Sequence, residues 1–228
     1  DFRPGGRIDL HHKDLGIVTS AAREAGLALP LSSLVATALA GAALFACKPV
    51  AAFGRGAGRT GRVNALLATC VVAVWGPTGA PGRSTLAVNL ASELAALGRP
   101  VVLVDLDTYG ASVAQLLSVL DEAPGIAAAA RASELGPLDL ASLARLAVEV
   151  APRFRVVTGI PTPTRWTEVR SSAVEQVIDL CRSLAAFVVL DCGFGIEDDE
   201  ELSYDTRAPR RNAVAVTTLA EANAVVAV

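Results

Sequence analysis

The chain has 228 residues, and 52% of them are hydrophobic, so it can bury the core of at least one domain. Its formal net charge is only −3, with 8 Lys/Arg against 4 Asp/Glu in residues 1 to 70 and 12 against 19 in the remainder. Because the basic excess of the first part is small and has no aromatic residues arranged to stack on bases, the sequence gives no strong signal for nucleic-acid binding.

The first 36 residues carry IDLHHKDL at 8 to 15, followed by an amphipathic AAREAG at 21 to 26. This stretch resembles the last domain of 2-hydroxy-3-oxopropionate reductase, a β-hydroxyacid dehydrogenase, in which the lysine at Lys13 would approach the nicotinamide cofactor. The Rossmann domain and the catalytic lysine helix of that family are not found in this chain. We therefore expect a helical appendage over residues 1 to 36 that cannot transfer a hydride alone.

Residues 37 to 70 lack regular periodicity and are predicted to be a linker or a poorly ordered segment. The most apolar run, Leu34 to Cys47, falls short of the roughly 18 to 20 residues that span a bilayer, so we expect no membrane span. GRGAGRTGR at 54 to 62 contains a formal GxGxxG, but no convincing strand precedes it and no convincing helix follows it. We do not interpret it as a dinucleotide site.

From Val71 onward, short apolar runs alternate with longer helical patterns, which predicts an α/β domain with a mostly parallel sheet and helices on both faces. Each run is continuously apolar, as expected of strands buried on both sides. The five predicted strands are VVAVW (71 to 75), VVLVD (101 to 105), RVVTG (155 to 159), FVVLD (187 to 191) and AVVAV (224 to 228).

A helix is predicted between the first two strands, over RSTLAVNLASELAALG. Leu86, Leu90, Leu94 and Leu97 recur at helical spacing and are predicted to form its buried face. Gly98 is placed to end the helix.

The loop GPTGAPGRST joins strand VVAVW to this helix. In such a strand-loop-helix context, backbone N–H groups and the helix dipole bind phosphate. The general phosphate-loop pattern is G-x-x-x-x-G-K-[ST]; here Pro77 stands at the first glycine, and Gly82, Arg83 and Ser84 occupy the last three positions. Alone, this is a poor match.

Two later strands end in aspartates: VDLDTYGAS at 104 to 112 carries Asp105 and Asp107, and VVLDCGFG at 188 to 195 carries Asp191. In this order and spacing, the loop and the two strand ends resemble the MinD/ParA family of P-loop ATPases. The family's deviant Walker A loop, KGGxGK[ST]T, aligns with TGAPGRST at 78 to 85. The likeness covers residues 71 to 228 and looks closest to divergent actinobacterial, CpaE-like members.

The resemblance implies a cytoplasmic switch that binds ATP and Mg²⁺ and acts in positioning, partition or pilus assembly, as a nucleotide-dependent homodimer with an unidentified protein partner. Asp107 would orient the attacking water. Ser84 would bind Mg²⁺ through its hydroxyl, with Asp105 and Asp191 holding the ion through water. The nucleotide-binding residues would be Gly79, Ala80, Pro81, Gly82, Arg83, Ser84 and Thr85.

The departures from the family pattern weaken the expected hydrolysis. Thr78 stands where the family has its signature lysine, Arg83 replaces the usual phosphate-loop lysine, and no lysine follows Lys48. Arginine keeps the charge, but its planar fork is larger than an ammonium. Pro81 lacks an N–H and Ala80 resists positive φ, so we expect fewer donors to phosphate. Two alternatives therefore stay open: a non-hydrolysing interaction module, and a remnant of an NAD-dependent reductase.

Three expectations concern the remaining features. The charged stretch at 197 to 212 is either a nucleotide-sensing switch segment or a solvated loop. The chain stops in a strand where the family continues, so we expect a C-terminally truncated domain. The four cysteines show neither CxxC nor Cys/His ligand spacing, which argues against a zinc site and a disulfide framework and favours a reducing cytoplasm.

Overall fold

The computed structural model of the protein describes residues 69–119, 125–197 and 210–228. The appendage predicted over residues 1 to 36 and nearly all of the linker predicted over 37 to 70 lie outside these ranges, as does most of the segment 197 to 212. Within the described ranges, no helix is long and apolar enough to cross a membrane.

Six strands form one sheet in the order β3-β4-β2-β5-β1-β6. All neighbours are parallel except β3 and β4, which are antiparallel. The strands are β1 (Cys70–Trp75), β2 (Val101–Leu106), β3 (Val148–Ala151), β4 (Phe154–Val157), β5 (Phe187–Cys192) and β6 (Ala224–Ala227).

Helices cover both faces of the sheet, which confirms the predicted fold class. One face packs against α1 (Arg83–Ala96) and α2 (Val113–Leu116). The other packs against α3 (Gly125–Leu135), α4 (Leu140–Leu146), α5 (Ser171–Leu184) and α6 (Ala213–Glu221). A 3₁₀ helix spans Pro163–Glu168. Successive β1 residues alternate between the two cores: Val72 and Val74 join the first, Val71 and Ala73 the second.

The edge strand β3 is absent from the sequence prediction. It has four residues, alternates between half-buried and exposed positions, and returns antiparallel into β4. Arg153 lies in this turn with φ 64°, a left-handed conformation that is uncommon for a non-glycine residue. A short, half-exposed strand gives no continuous apolar run, so the criterion used for the buried strands could not detect it.

One further expectation needs correction. The predicted buried face of α1 extends one residue too far, because Leu97 follows the helix and is 59% exposed, whereas Leu90 and Leu94 are fully buried. Gly98 adopts φ +80° directly after Leu97, as predicted for a helix stop. Among the described cysteines, Cys181 and Cys192 are free and buried.

The strand register gathers the predicted site residues at one edge of the sheet. Asp105 of β2 lies directly opposite Asp191 of β5, and Asp191 is also in register with Val74 near the end of β1. Because parallel strands carry their carboxyl ends to the same edge, the loop after β1 and both strand-end aspartates converge there.

Candidate functional site

The loop between β1 and α1 turns through two glycines in the left-handed conformation. Gly79 and Gly82 adopt φ +85° and +92°, and a Cβ at either position would meet nothing within 4 Å, so conformation rather than space calls for glycine. Ala80 needs no positive φ, but its N–H donates to the Pro77 carbonyl at 3.0 Å and is thus already engaged.

Gly82 begins α1 without a side-chain cap. The first N–H groups of any α-helix have no acceptor within the helix. The first turn of α1 contains Arg83, Ser84 and Thr85, so its backbone donors and its dipole face the loop. This arrangement suits an anion.

Arg83 is turned inward. One guanidinium nitrogen donates to the Gly76 carbonyl at 2.9 Å, and another lies 3.6 Å from Asp107 Oδ2. Its side chain is only 15% exposed, and its guanidinium lies 5.7 Å from the centroid of the Phe194 ring. The Arg83 guanidinium is therefore paired with the Asp107 carboxylate, which directly follows β2.

Asp105 and Asp191 form a buried acidic pair, 1% and 0% exposed. Asp105 accepts from the backbone N–H groups of Asp107 and Val113, both at 3.1 Å. Burial, reinforced by the neighbouring Asp191, raises the pKa of Asp105 well above its usual range. Among the described residues, both oxygens of Asp191 lack a hydrogen-bond partner of acceptable geometry.

Burial likewise raises the pKa of Asp191 to about 7, with Ser84 and Arg83 opposing the rise and Asp107 adding to it. Ser84, in the first turn of α1, is the polar side chain that most lowers this pKa. Even so, neither carboxylate oxygen of Asp191 has a hydrogen-bond partner of acceptable geometry among the described residues. An orphaned buried carboxylate is costly unless something pairs with it.

A hard cation fits this position. Magnesium prefers oxygen ligands, keeps several waters and commonly binds through one or two carboxylates together with substrate phosphates. Among the described residues, no three His, Cys, Asp or Glu side chains form a metal-holding cluster. The protein alone does not build a metal cage here, so an ion would depend on the Ser84 hydroxyl, water and a bound phosphate.

Asp107 is 6% exposed and presents its two oxygens differently. Oδ1 accepts from the backbone N–H groups of Tyr109 at 2.8 Å and Gly110 at 3.1 Å. Oδ2 faces Arg83. One oxygen thus fixes the carboxylate to its own loop, and the other is directed towards the phosphate loop.

The structure places Asp105, Asp107, Asp191 and the loop after β1 at the same edge of the sheet, but sequence reasoning missed the aromatic residues around them. Phe194 follows β5 and Tyr109 follows β2, and their ring centroids lie 4.3 Å apart. The Trp75 indole N–H donates to the Phe194 carbonyl at 3.2 Å. A usable signal existed, since an aromatic residue stands two positions after Asp107 in VDLDTYGAS and three positions after Asp191 in VVLDCGFG.

Thr78, at the position of the family's signature lysine, is exposed on the loop, as is Pro81. Neither contributes a described hydrogen bond to the site. The part of the charged segment that the structure describes includes Arg211 and Asn212, and both contact the loop after β2.

A family model described as "ParA: NUBPL iron-transfer P-loop NTPase" matches residues 68–228. A second, described as the NAD-binding domain of NADP-dependent 3-hydroxyisobutyrate dehydrogenase, matches residues 1–46, in agreement with the resemblance drawn from IDLHHKDL. No curated protein matches the sequence.

Solved structures share this fold at low sequence identity. A ParA family ATPase from Chlorobium tepidum TLS matches with a TM-score of 0.57 and 19% identity, over 70% of this chain and 60% of that chain. The septum site-determining protein MinD from Pyrococcus horikoshii OT3, complexed with Mg-ADP, matches with a TM-score of 0.53 and 18% identity, over 70% and 57%. The chain thus spans about three fifths of the length of these two proteins.

Proposed function

Since the chain belongs to the ParA family of P-loop NTPases, we propose that residues 71 to 228 bind ATP with Mg²⁺ and act as a nucleotide-dependent switch with weak or absent hydrolysis. The loop with two left-handed glycines and the uncapped start of α1 supports phosphate binding. The solved MinD relative was complexed with Mg-ADP.

The observation that carries the proposal is the Asp191 carboxylate. It is completely buried, both oxygens are without a hydrogen bond among the described residues, and it lies in register with Asp105. A purely structural aspartate at the end of a strand would cap a helix or accept loop N–H groups. Asp191 does neither, so its oxygens are available to water molecules around a cation.

In the proposed complex, the backbone of Gly79 to Gly82 and the first turn of α1 would surround the phosphates, and Ser84, Asp105 and Asp191 would hold Mg²⁺. The ion would supply neutralisation of phosphate charge. Binding the ion requires Asp191 to be ionised. Arg83 must exchange its contacts with Gly76 and Asp107 for phosphate if it is to serve in place of lysine.

Weak hydrolysis follows from the positions of the charges. Phosphoryl transfer depends on positioned positive charge and an oriented nucleophile. Here Thr78 offers no charge, and Arg83 is paired with Asp107, the residue expected to orient the attacking water. In the nucleotide-free chain, the Arg83 guanidinium and the Asp107 carboxylate therefore pair with each other.

For the cellular role, we propose a cytoplasmic switch of the positioning, partition or pilus-assembly type, as the family membership suggests. A homodimer formed in the presence of nucleotide is part of this proposal. Its mass is measured by sedimentation of the full chain with and without a non-hydrolysable ATP analogue and Mg²⁺. An unchanged monomer mass under saturating nucleotide would remove dimerisation from the proposal.

The direct test is equilibrium binding of a fluorescent ATP analogue to the full chain with Mg²⁺, using Asp191→Asn and Arg83→Ala. Asp191→Asn is expected to remove the magnesium-dependent part of binding, and Arg83→Ala to weaken binding with or without the ion. Asp179→Asn and Arg145→Ala, both on exposed helix surfaces, are the matched controls. Loss of binding in the controls as well, or no binding by the unmutated chain, would refute the proposed site.

The second candidate is a non-hydrolysing interaction module that keeps the fold without using nucleotide. The Arg83 and Asp107 pair favours it, because the two groups satisfy each other without a ligand. This alternative predicts that the nucleotide analogue leaves the unfolding temperature unchanged. A clear nucleotide-dependent rise would exclude it.

A further inference from the structure

The Tyr109 side chain is held on three sides. Its ring packs against Phe194 with an interplanar angle of 36°, and the Arg211 guanidinium lies 3.8 Å from its ring centroid. Its hydroxyl donates to the Asn212 side-chain oxygen at 2.6 Å. We call Phe194, Arg211 and Asn212 the Tyr109 clamp.

The clamp is anchored to separate elements. Arg211 also donates to the Thr108 carbonyl at 2.8 Å, and the Asn212 amide donates to the Glu197 carbonyl at 2.8 Å. The indole N–H of Trp75, at the end of β1, donates to the Phe194 carbonyl. The ring of Tyr109 is therefore fixed by groups from the ends of β1 and β5 and the start of α6.

Two glycines permit this close packing. A Cβ on Gly195 would lie 2.3 Å from the Asn212 side-chain oxygen, and one on Gly193 would lie 3.3 Å from Asp107 Oδ1. At Gly195 the segment after β5 thus approaches the clamp more closely than a side chain would allow, and at Gly193 it lies tightly against Asp107. The approach brings the clamp and the candidate catalytic aspartate into one packed unit.

The orientation of Asp107 depends on the backbone that the clamp fixes. Asp107 Oδ1 accepts from the N–H groups of Tyr109 and Gly110, so moving this turn would rotate the carboxylate. Only with Oδ1 held there does Oδ2 point to Arg83 at 3.6 Å. The Tyr109 side chain does not itself touch Arg83 in any described contact.

We propose that Tyr109 is a positioning residue for Asp107: its clamp holds the turn after β2 so that one carboxylate oxygen is presented to the phosphate loop. Its effect on nucleotide rests on the proposed function, whereas its effect on the contact between Asp107 and Arg83 does not. The two parts can therefore be tested separately.

The nucleotide-independent test is a set of urea unfolding curves on the full chain. Arg83→Gln, Asp107→Asn and the double variant are made with Tyr109 and again with Tyr109→Leu. With Tyr109, the shifts in unfolding midpoint are expected to be non-additive, because the two side chains interact. With Tyr109→Leu, they are expected to become additive, since Asp107 no longer faces Arg83.

Equal non-additivity in both backgrounds would overturn the proposal, because Asp107 would then be oriented without the clamp. Additivity in both would also overturn it, since no contact would be positioned. If Tyr109→Leu does not fold, Tyr109→Phe and Asn212→Ala replace it, because each removes the hydroxyl contact and leaves the ring.

The nucleotide test measures the affinity of the fluorescent ATP analogue with Mg²⁺. Tyr109→Leu is expected to weaken it by about two- to tenfold with Asp107 present and not with Asp107→Asn, with Tyr109→Phe in between. An equal loss in both backgrounds indicates a purely structural role and overturns the positioning of Asp107 for nucleotide. If the unmutated chain binds no nucleotide, the proposed function fails, and the unfolding cycle still decides the positioning role.

Discussion

Arg83 uses both of its terminal nitrogens within the protein, one on the Gly76 carbonyl and the other facing Asp107. A lysine has a compact ammonium on a flexible stem and lacks the planar fork that makes these two contacts in a fixed geometry. The substitution from the family's lysine thus changes what the side chain does in the empty site as well as how it would grip phosphate.

Arg83→Lys is expected to tighten binding of the ATP analogue by about two- to tenfold, because the ammonium leaves at least one of these internal contacts and becomes available to phosphate. The measurement is a titration with Mg²⁺, followed by an assay of phosphate release. Arg145→Lys, on exposed α4, is the control. Weaker binding by Arg83→Lys would show that the guanidinium fork itself holds the phosphate.

Asp191 links stability to pH. Its folded pKa of about 7 lies above the ordinary value of 3.8, so the folded state holds this proton more tightly than the unfolded state does. The resulting contribution to the free energy of unfolding is complete below about pH 4 and is lost as pH rises through 7. Asp191→Asn removes this dependence. We expect the advantage of the variant over the unmutated chain in free energy of unfolding to be roughly 4 kcal/mol larger at pH 8 than at pH 4.

Urea unfolding at several pH values in the absence of Mg²⁺ measures this difference. A gap between the two proteins that shrinks as pH rises would contradict the assignment of Asp191 as a strained buried acid. The same substitution is expected to abolish magnesium-dependent nucleotide binding, so stability gained and binding lost would coincide at one residue.

At the level of elements, α1 shows how far periodicity predicts packing. The Leu86, Leu90, Leu94 and Leu97 spacing located the helix and its core-facing side, but periodicity does not say where the helix ends against the sheet. Leu90→Ala is expected to cost about 2–5 kcal/mol of stability, since it empties a fully buried position. Leu97→Ala, at an exposed cap, is the matched control and should cost well under 1 kcal/mol.

Chemical unfolding of the two variants checks this pair. Similar losses in both would contradict the exposed position of Leu97.

Gly159 lies two residues after the end of β4 and packs against Asp105 of the candidate site. A Cβ there would stand 2.4 Å from Ala111 Cβ and 2.8 Å from the Asp105 carboxyl carbon. Gly159→Ala is therefore expected to destabilise the chain by about 1–3 kcal/mol and to weaken nucleotide binding. Gly136→Ala, where a Cβ meets nothing within 4 Å, is the control.

Unfolding curves and the nucleotide titration are run on both glycine variants. Unchanged binding in Gly159→Ala would show that Asp105 can shift without consequence for the ligand.

The buried strands and the convergence of the three aspartates were predictable, because continuous apolar runs and strand-end residues leave a local signal. The β3 edge strand left too weak a signal to be found. The Arg83 to Asp107 contact and the Tyr109 clamp depend on side chains brought together from distant positions. The sequence shows which residue types could form such contacts, but the folded structure determines which of them meet.

At the scale of the whole molecule, one sheet serves two cores, and the candidate site lies at the carboxyl ends of the strands that both cores hold in place. Binding there should stabilise the whole domain. At a nucleotide concentration 100 times the dissociation constant, the gain is about 2.7 kcal/mol.

For a domain of this size, that gain corresponds to a rise of roughly 5–10 °C in unfolding temperature. Thermal unfolding with Mg²⁺ and the ATP analogue measures it, and Asp191→Asn should show a much smaller rise. A full rise in that variant would place the ligand elsewhere on the protein.

The indole of Trp75 donates to Phe194 between the phosphate loop and the clamp, and the chain has only one other tryptophan, Trp166. The protein therefore carries its own optical reporter at the junction of the two parts of the site. With Trp166→Phe, Trp75 is the one tryptophan left in the sequence, and excitation that selects tryptophan over tyrosine reports on it alone. Ligand binding and motion of the segment after β5 can then be followed in real time without an attached dye.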